Sequence, residues 1–144
     1  METNKRYEVT FKVPGEPTGK GRPRVVKSGA FARTYTPEKT ATYENLVKLE
    51  YQRQCGKTYF GEAPLGMRIR AYHGIPKAVS KRKRAAMIDK VIRPVKKPDI
   101  DNIEKVIGDA LNGLAYRDDV QIVSHDTQKY FAVVPCVEVT IWEE

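Results

Sequence analysis

From Asp101 to Leu111 the apolar residues Ile103, Val106, Ile107, Ala110 and Leu111 fall at i, i+3, i+4, i+7 and i+8, one wide face of an α-helix. Asn112-Gly113 supplies the stop. Such a face must be buried, and the covering elements are legible on either side. Tyr7, Val9, Phe11 and Val13 alternate with Glu8, Thr10 and Lys12, the period of a strand with one buried face. Leu65, Met67, Ile69 and Ala71 alternate in the same way, as do Val137, Val139 and Ile141. Val120 to Val123 and Tyr130 to Val134 suggest one further strand or a pair, the first beginning at Val120. Thr36-Pro37-Glu38 reads as a helix start, with a hydroxyl cap and proline at the first position. That helix places Tyr43, Leu46, Val47 and Tyr51 in a stripe and ends near Gly56. Ser80 caps a short helix to about Lys90, although Lys81-Arg82-Lys83-Arg84 sit at its positive end and oppose its dipole. Pro14 to Thr36, rich in glycine, proline and bases, reads as a long loop or loose hairpin. The expectation is a single domain over residues 1–144, of the α+β class, with a mixed β-sheet packed by helices.

Charge divides this chain in two. Residues 1–98 carry 23 bases and 8 acids, a net of +15, whereas residues 99–144 carry 3 bases and 10 acids, a net of −7. Six of the seven aspartates lie between Asp99 and Asp126. The first part would attract a polyanion and the second a divalent cation. That pairing suits a metal-dependent enzyme acting on nucleic acid. It also suits a merely basic domain whose acids cap helices and fill turns. No apolar run approaches the roughly 18 residues of a membrane helix, and the N-terminus lacks a signal-peptide core. Cys55 and Cys136 are too few for a disulfide framework or a self-contained zinc site. A cytoplasmic setting is expected.

The acidic segment reads Lys97-Pro98-Asp99-Ile100-Asp101-Asn102-Ile103-Glu104-Lys105, then Asp109, then Arg117-Asp118-Asp119-Val120-Gln121. Pro98 restricts Lys97 to extended backbone, so Asp99 sits on an extended approach to the helix, and Asp99 and Asp101 can aim both carboxylates at one point, at the positive helix N-terminus. Two anions crowded there need a cation or protons to offset them. At about 100° per residue, Lys105 lies roughly 40° from Asp101, away from Ile103 and Ala110. Gly108 shares that face, where it costs about 1 kcal/mol in helix propensity, as if something approaches closely. A short turn after the helix would carry Asp119 back toward the first pair. Each part also has a structural reading. Asp101 can be an N-cap with Glu104 completing a near capping box, Asp118 and Asp119 can be turn residues, and Lys105 can be a solvated lysine. His73 and His125 read as ordinary residues. An EF-hand is excluded, because its fifth position would be Ile103 and its glycine is missing.

Pro98-Asp99-x-Asp101-Asn102-x-x-Lys105, with Asp109-Ala-Leu-Asn-Gly and Arg117-Asp118-Asp119-x-Gln121, resembles the RusA family of Holliday-junction resolvases. The run Gly15-Glu-Pro-Thr-Gly-Lys20-Gly-Arg22-Pro-Arg24 and Tyr35-Thr-Pro-x-Lys39-Thr resembles the same family, so the likeness spans about Tyr7 to Trp142. The middle, from Gly56 to Val95, carries no motif of it. The resemblance implies a RusA-like fold and a small homodimer that cuts four-way DNA junctions with Mg2+ or Mn2+. It also implies Asp99, Asp101 and Asp119 as metal-binding acids and Lys105 as the catalytic lysine. Asp118 matches a recurrent acid that could stand behind them.

Hard oxygen ligands favour magnesium or manganese over zinc. A metal held by carboxylates activates water and neutralises developing charge, and Lys105 could neutralise the phosphate without losing its proton. Lys20, Arg22, Arg24, Lys27 and Arg33 decorate the glycine-rich segment, where Phe31 and Tyr35 could stack on unpaired bases, so these five are the candidate DNA contacts. Lys81-Arg82-Lys83-Arg84 reads equally as a further contact or a solvated face. The expected activity is resolution of four-way junctions by paired symmetric hydrolysis, in recombination and repair. A nuclease for flaps or other branched DNA, and a non-catalytic nucleic-acid-binding module, are the alternatives.

Overall fold

A computed structural model describes residues 7–21, 24–29, 31–35 and 37–144. Its elements in chain order are β1 (Glu8–Pro14), β2 (Arg24–Ser28), β3 (Phe31–Tyr35), α1 (Glu38–Cys55), β4 (Leu65–Gly74), α2 (Lys81–Ile88), α3 (Ile100–Leu111), β5 (Ile122–Ala132) and β6 (Cys136–Glu143). One turn of 3-10 helix, Asp119–Gln121, precedes β5. A four-stranded mixed sheet has the order β1-β6-β4-β5, and β2 and β3 form a separate antiparallel hairpin. β6 pairs antiparallel with both β1 and β4. β5 lies parallel to β4, so the chain between them must cross over, and α2 and α3 lie in that crossover. This is the expected α+β architecture.

The alternation read from the sequence selects the buried face. Phe11 and Val13, then Met67, Ile69 and Ala71, then Val137, Val139 and Ile141 point to one side and are almost fully buried. Tyr43, Val47 and Tyr51 of α1 and Ile103, Val106, Ile107, Ala110 and Leu111 of α3 join them in one apolar cluster. Each valine, leucine, isoleucine, phenylalanine or methionine among them contributes about 1.5–3 kcal/mol on burial. The last five set the orientation of α3, and that orientation decides which way its acids face.

Three boundaries differ from expectation. β5 is one continuous strand beginning at Ile122, not at Val120, and Val133 and Val134 lie beyond its end. Val120 belongs to the 3-10 turn because Asp118 and Gln121 cap that turn from both ends. The expected hydroxyl cap of α1, Thr36, lies outside the described residues. Pro37 occupies the N-cap position, and its carbonyl accepts from Ala41 N at 3.0 Å. The basic segment contains the ordered pairing of β2 with β3, a hairpin as one reading allowed. α2 forms where Ser80 predicted it, with Lys83 N donating to Ser80 Oγ at 3.2 Å. No helix among the described residues is long and apolar enough to cross a membrane.

Candidate active site

Asp99 is the N-cap of α3, on extended backbone (φ −68°, ψ 155°), and its side chain makes no capping hydrogen bond. Asp101 lies inside the first helical turn. The helix therefore begins at Ile100, which corrects two readings. Asp99 and Asp101 are not successive same-side residues of one extended segment, and Asp101 is not the cap. Ile103 N donates instead to the Asp99 carbonyl at 3.0 Å. Both acids are exposed at the positive end of the helix, which favours anions there.

The other half of the site is built by the turn after α3. The chain reverses at Gly113, whose φ of 76° suits glycine. The buried Tyr116 hydroxyl then donates to the Gly108 carbonyl at 2.8 Å, tying the turn to the helix it left. Asp118 and Gln121 form a capping box, and Gln121 Nε2 donates to the carbonyls of Gly61 and Ala63 at 2.8 and 2.9 Å. Asp119 N donates to Asn112 Oδ1 at 2.8 Å. These bonds hold the Asp119 carboxylate against Gly108, where an added Cβ would stand 3.4 Å from Oδ2 and 3.5 Å from the Asp119 Cβ. The group that needed glycine on this helix face is Asp119.

Around this contact charges alternate. Lys105 Nζ lies 3.9 Å from Asp109 Oδ2, one helical turn on. Lys20 Nζ lies 3.3 Å from the same oxygen and 3.1 Å from Glu44 Oε2 of α1. Burial raises the Asp119 pKa above the usual carboxylate range, and the hydrogen bond with Asp118 and the charges of Asp109 and Asp118 raise it further. Asp118 moves the opposite way, held down first by that shared hydrogen bond and then by Val120 N. Lys20 is raised overall: burial works against its charge, but Glu44 and Asp109 outweigh it. These carboxylates are hard oxygen donors of the kind Mg2+ and Mn2+ take, but Asp109 and Glu44 are already paired with lysines.

The site residues expected from sequence thus fall into two groups along α3. Asp119 and Lys105 meet around Asp109 and Gly108. Asp99 and Asp101 stand at the helix start, and seven residues from Asp101 to Gly108 amount to about 10 Å of helical rise. Among the described residues, no three His, Cys, Asp or Glu side chains are grouped so as to hold a metal ion. Of the expected DNA contacts, Lys20 is turned inward onto α1 and α3, its side chain only 17% exposed. Arg22 lies outside the described residues. In the β2–β3 hairpin, Arg24 is registered opposite Tyr35, Arg33 opposite Val26 and Lys27 opposite Ala32, with Lys27 exposed.

Sequence reasoning missed several neighbours. Asp109 was visible, being i+4 from Lys105, yet was not chosen. Glu44 had no local signal, because only tertiary packing brings α1 to α3. The same holds for β5. His125 Nδ1 lies 3.1 Å from Glu104 Oε2, and the Thr127 hydroxyl donates to that oxygen at 2.7 Å. Burial lowers the His125 pKa and the Glu104 charge raises it. Lys129 follows on the same strand, its pKa lowered by burial while the Asp99 charge pulls the other way. His73, by contrast, is buried in β4.

Two comparisons bear on this arrangement. The family model described as endodeoxyribonuclease RusA matches residues 14–142. The uncharacterized protein YqaN of Bacillus subtilis (strain 168) is 35% identical over 137 residues, covering 94% of this chain and 96% of the relative.

Proposed function

This chain belongs to the RusA family of endodeoxyribonucleases, and from that premise we propose that it is a metal-dependent nuclease resolving four-way DNA junctions. Residues 1–144 act as one nuclease domain, and two copies form the working unit. Each chain offers one acidic site, while resolution needs two symmetric cuts, so a two-fold dimer matches the symmetry of the junction. The two thiols, Cys55 and Cys136, are free, which suits a cytoplasmic setting.

The observation that carries this reading is Asp119 seated on Gly108 beside Asp109 and Lys105. A carboxylate set beside like charges needs protons or a cation to offset them, and a divalent ion would do so here. In our assignment Asp99 and Asp101 at the helix start and Asp119 at Gly108 would supply the carboxylates for Mg2+ or Mn2+, so that binding would have to draw the two groups together, and the ion when bound would lower the pKa of water and neutralise the phosphate. The exposed Lys105 amine offsets charge on the phosphoryl oxygens of the scissile strand. Asp118 keeps Asp119 in place through the capped turn. Asp109, fixed by Lys20, keeps Lys105 over the site.

The test is Asp119→Asn on a panel of junction, flap and duplex DNA with Mg2+ or Mn2+. The native chain should make paired, symmetric incisions in the junction. The variant should bind junctions but lose about a hundred- to a thousandfold in cutting, the order of effect seen when one group stabilising transition-state charge is removed. Single incisions confined to flaps would instead identify a nuclease of other branched DNA. Binding without cutting by the native chain in either metal would identify a non-catalytic module.

A further inference from the structure

Residues 77–97 hold nine lysines and arginines and one acid, Asp89, and none of them belongs to the carboxylate site. We propose that this stretch is a DNA-docking arm, which seats the phosphate backbone of a duplex beside α3. The inference rests on the nuclease reading for its choice of DNA as the occupant.

The arm is fixed to the sheet by a few specific contacts. Met87 is the buried residue of α2. Val91 N and Ile92 N both donate to the Ala86 carbonyl, at 2.9 and 3.1 Å, which closes the end of that helix. Arg93 then fastens the chain to β5. Its Nε donates to the Lys129 carbonyl at 2.9 Å, its Nη2 donates to Gln128 Oε1 at 3.1 Å, and its guanidinium lies 4.3 Å from the Tyr130 ring centroid. Lys90 Nζ sits 4.8 Å from the same ring. Lys129 Nζ donates to the Lys96 carbonyl, and three residues later the chain reaches Asp99. Lys90, Arg93 and Lys129 thus hold the arm in place and lead it to the first candidate metal ligand.

The remaining cations have no such partners. Lys77, Lys81, Arg82, Lys83, Arg84, Lys96 and Lys97 are all exposed. None of them takes part in an ion pair among the described residues. Four occupy the first turn of α2, which contains no acid. They repel one another and the positive helix end, and an external polyanion relieves both strains. Val91 and Val95 stand among them 77% and 101% exposed. A small anion would leave these aliphatic surfaces in water, whereas a nucleic-acid backbone presents phosphates and apolar sugar edges together. Because the arm ends at Asp99, a strand held on it is aligned with the acidic face of α3.

The experiment compares the native chain with the variant Lys81→Gln/Arg82→Gln/Lys83→Gln/Arg84→Gln. Junction affinity is measured by anisotropy across a salt series with the metal chelated. Loss of two or three phosphate contacts should lower the slope of log K against log salt by about 2–3 units and weaken binding roughly tenfold or more. In cutting assays the loss should fall on KM and be recovered at higher DNA concentration. The charge-conserving Lys81→Arg/Lys83→Arg should retain the native slope. An unchanged slope in the folded glutamine variant overturns the arm, as does a variant that binds DNA normally but loses retention on immobilised polyglutamate. If the native chain shows the salt-dependent binding that the variant loses, yet cuts no DNA, the nuclease reading fails and the arm stands. If the native chain cuts and the variant slope is unchanged, the arm fails and the nuclease reading stands.

Discussion

Two basic stretches of this chain are alike in charge, yet a lysine of one turns into the fold while the leading cations of the other stay outside it. Residues 14–35 and 77–97 are both rich in lysine and arginine. In the first, Lys20 is drawn inside, between Glu44 and Asp109. In the second, Lys77, Lys81–Arg84, Lys96 and Lys97 stay outside, without ion-pair partners among the described residues. The amino acid is not what differs. α1 and α3 converge where the first loop passes and bring one acid each, while α2 packs against β5 and its four leading cations form no ion pair among the described residues. A lysine that finds carboxylates becomes an internal tie, and one that does not remains available to an external anion. Charge counted along a sequence cannot separate the two.

The largest effect should come from Lys20→Met. It leaves Glu44 and Asp109 facing each other without their shared cation, at positions only 16% and 24% exposed. Breaking a buried ion pair costs about 3–5 kcal/mol and an exposed one about 0–1 kcal/mol, so this partly buried site should lose about 2–3 kcal/mol. Denaturant titration measures the loss, and Lys20→Arg should restore most of it. Cutting should fall with Asp109 released from its place, while the salt slope of DNA binding changes little. A variant of native stability whose slope drops by a full unit would make Lys20 a phosphate contact and erase the contrast between the stretches.

Gly19→Ala sharpens the same contrast without touching a charge. The loop sits so close to α3 that a Cβ at Gly19 would stand 2.7 Å from Pro98 Cβ and 3.0 Å from Asn102 Cβ. The next residue donates Lys20 N to the Asn102 carbonyl at 2.9 Å. Adding the methyl must push the loop off the helix start, at about 1–2 kcal/mol of overpacking. Thermal unfolding should drop accordingly, and cutting should fall because Asp99 and Asp101 share the displaced backbone. Native stability and cutting would mean that the loop is not seated on α3 as described.

Local regularity explains what could be read in advance. The apolar face from Ile103 to Leu111, the alternation of β1, β4 and β6 and the Ser80 cap are short-range patterns, and all of them hold. The sequence also identified Gly108 as out of place on its helix, though Asp119 as its neighbour emerged only with the capped turn. Where two rules competed, the reading slipped. Val120, β-branched and apolar, reads as strand, but Asp118 and Gln121 close a turn around it first. Asp99 reads as the extended partner of Asp101, but the helix already begins between them. The inward turn of Lys20, the link from Glu104 to His125 and the clamp of Arg93 on Tyr130 all join residues 21 or more positions apart. No local pattern encodes such contacts.

The smallest effect gives the most direct comparison, because its sign should reverse. In the inward stretch, removing a cation destabilises. In the outward arm, replacing one with an acid should stabilise. Lys81 opens α2, where the backbone amides present partial positive charge and the first turn contains no acid. Lys81→Glu replaces repulsion with attraction to that helix end and interrupts the run of four cations. The gain should be about 0.3–1 kcal/mol at low salt, fading as salt screens it. Junction affinity should move the other way, because a phosphate contact is exchanged for a repelling carboxylate. Thermal unfolding and anisotropy on one preparation measure both. A more stable chain that binds DNA less tightly shows that the cations of α2 are kept against the preference of the fold, for a partner outside it. A variant that loses stability instead would show that Lys81 has an internal acid after all, and the two stretches would then be the same kind of structure.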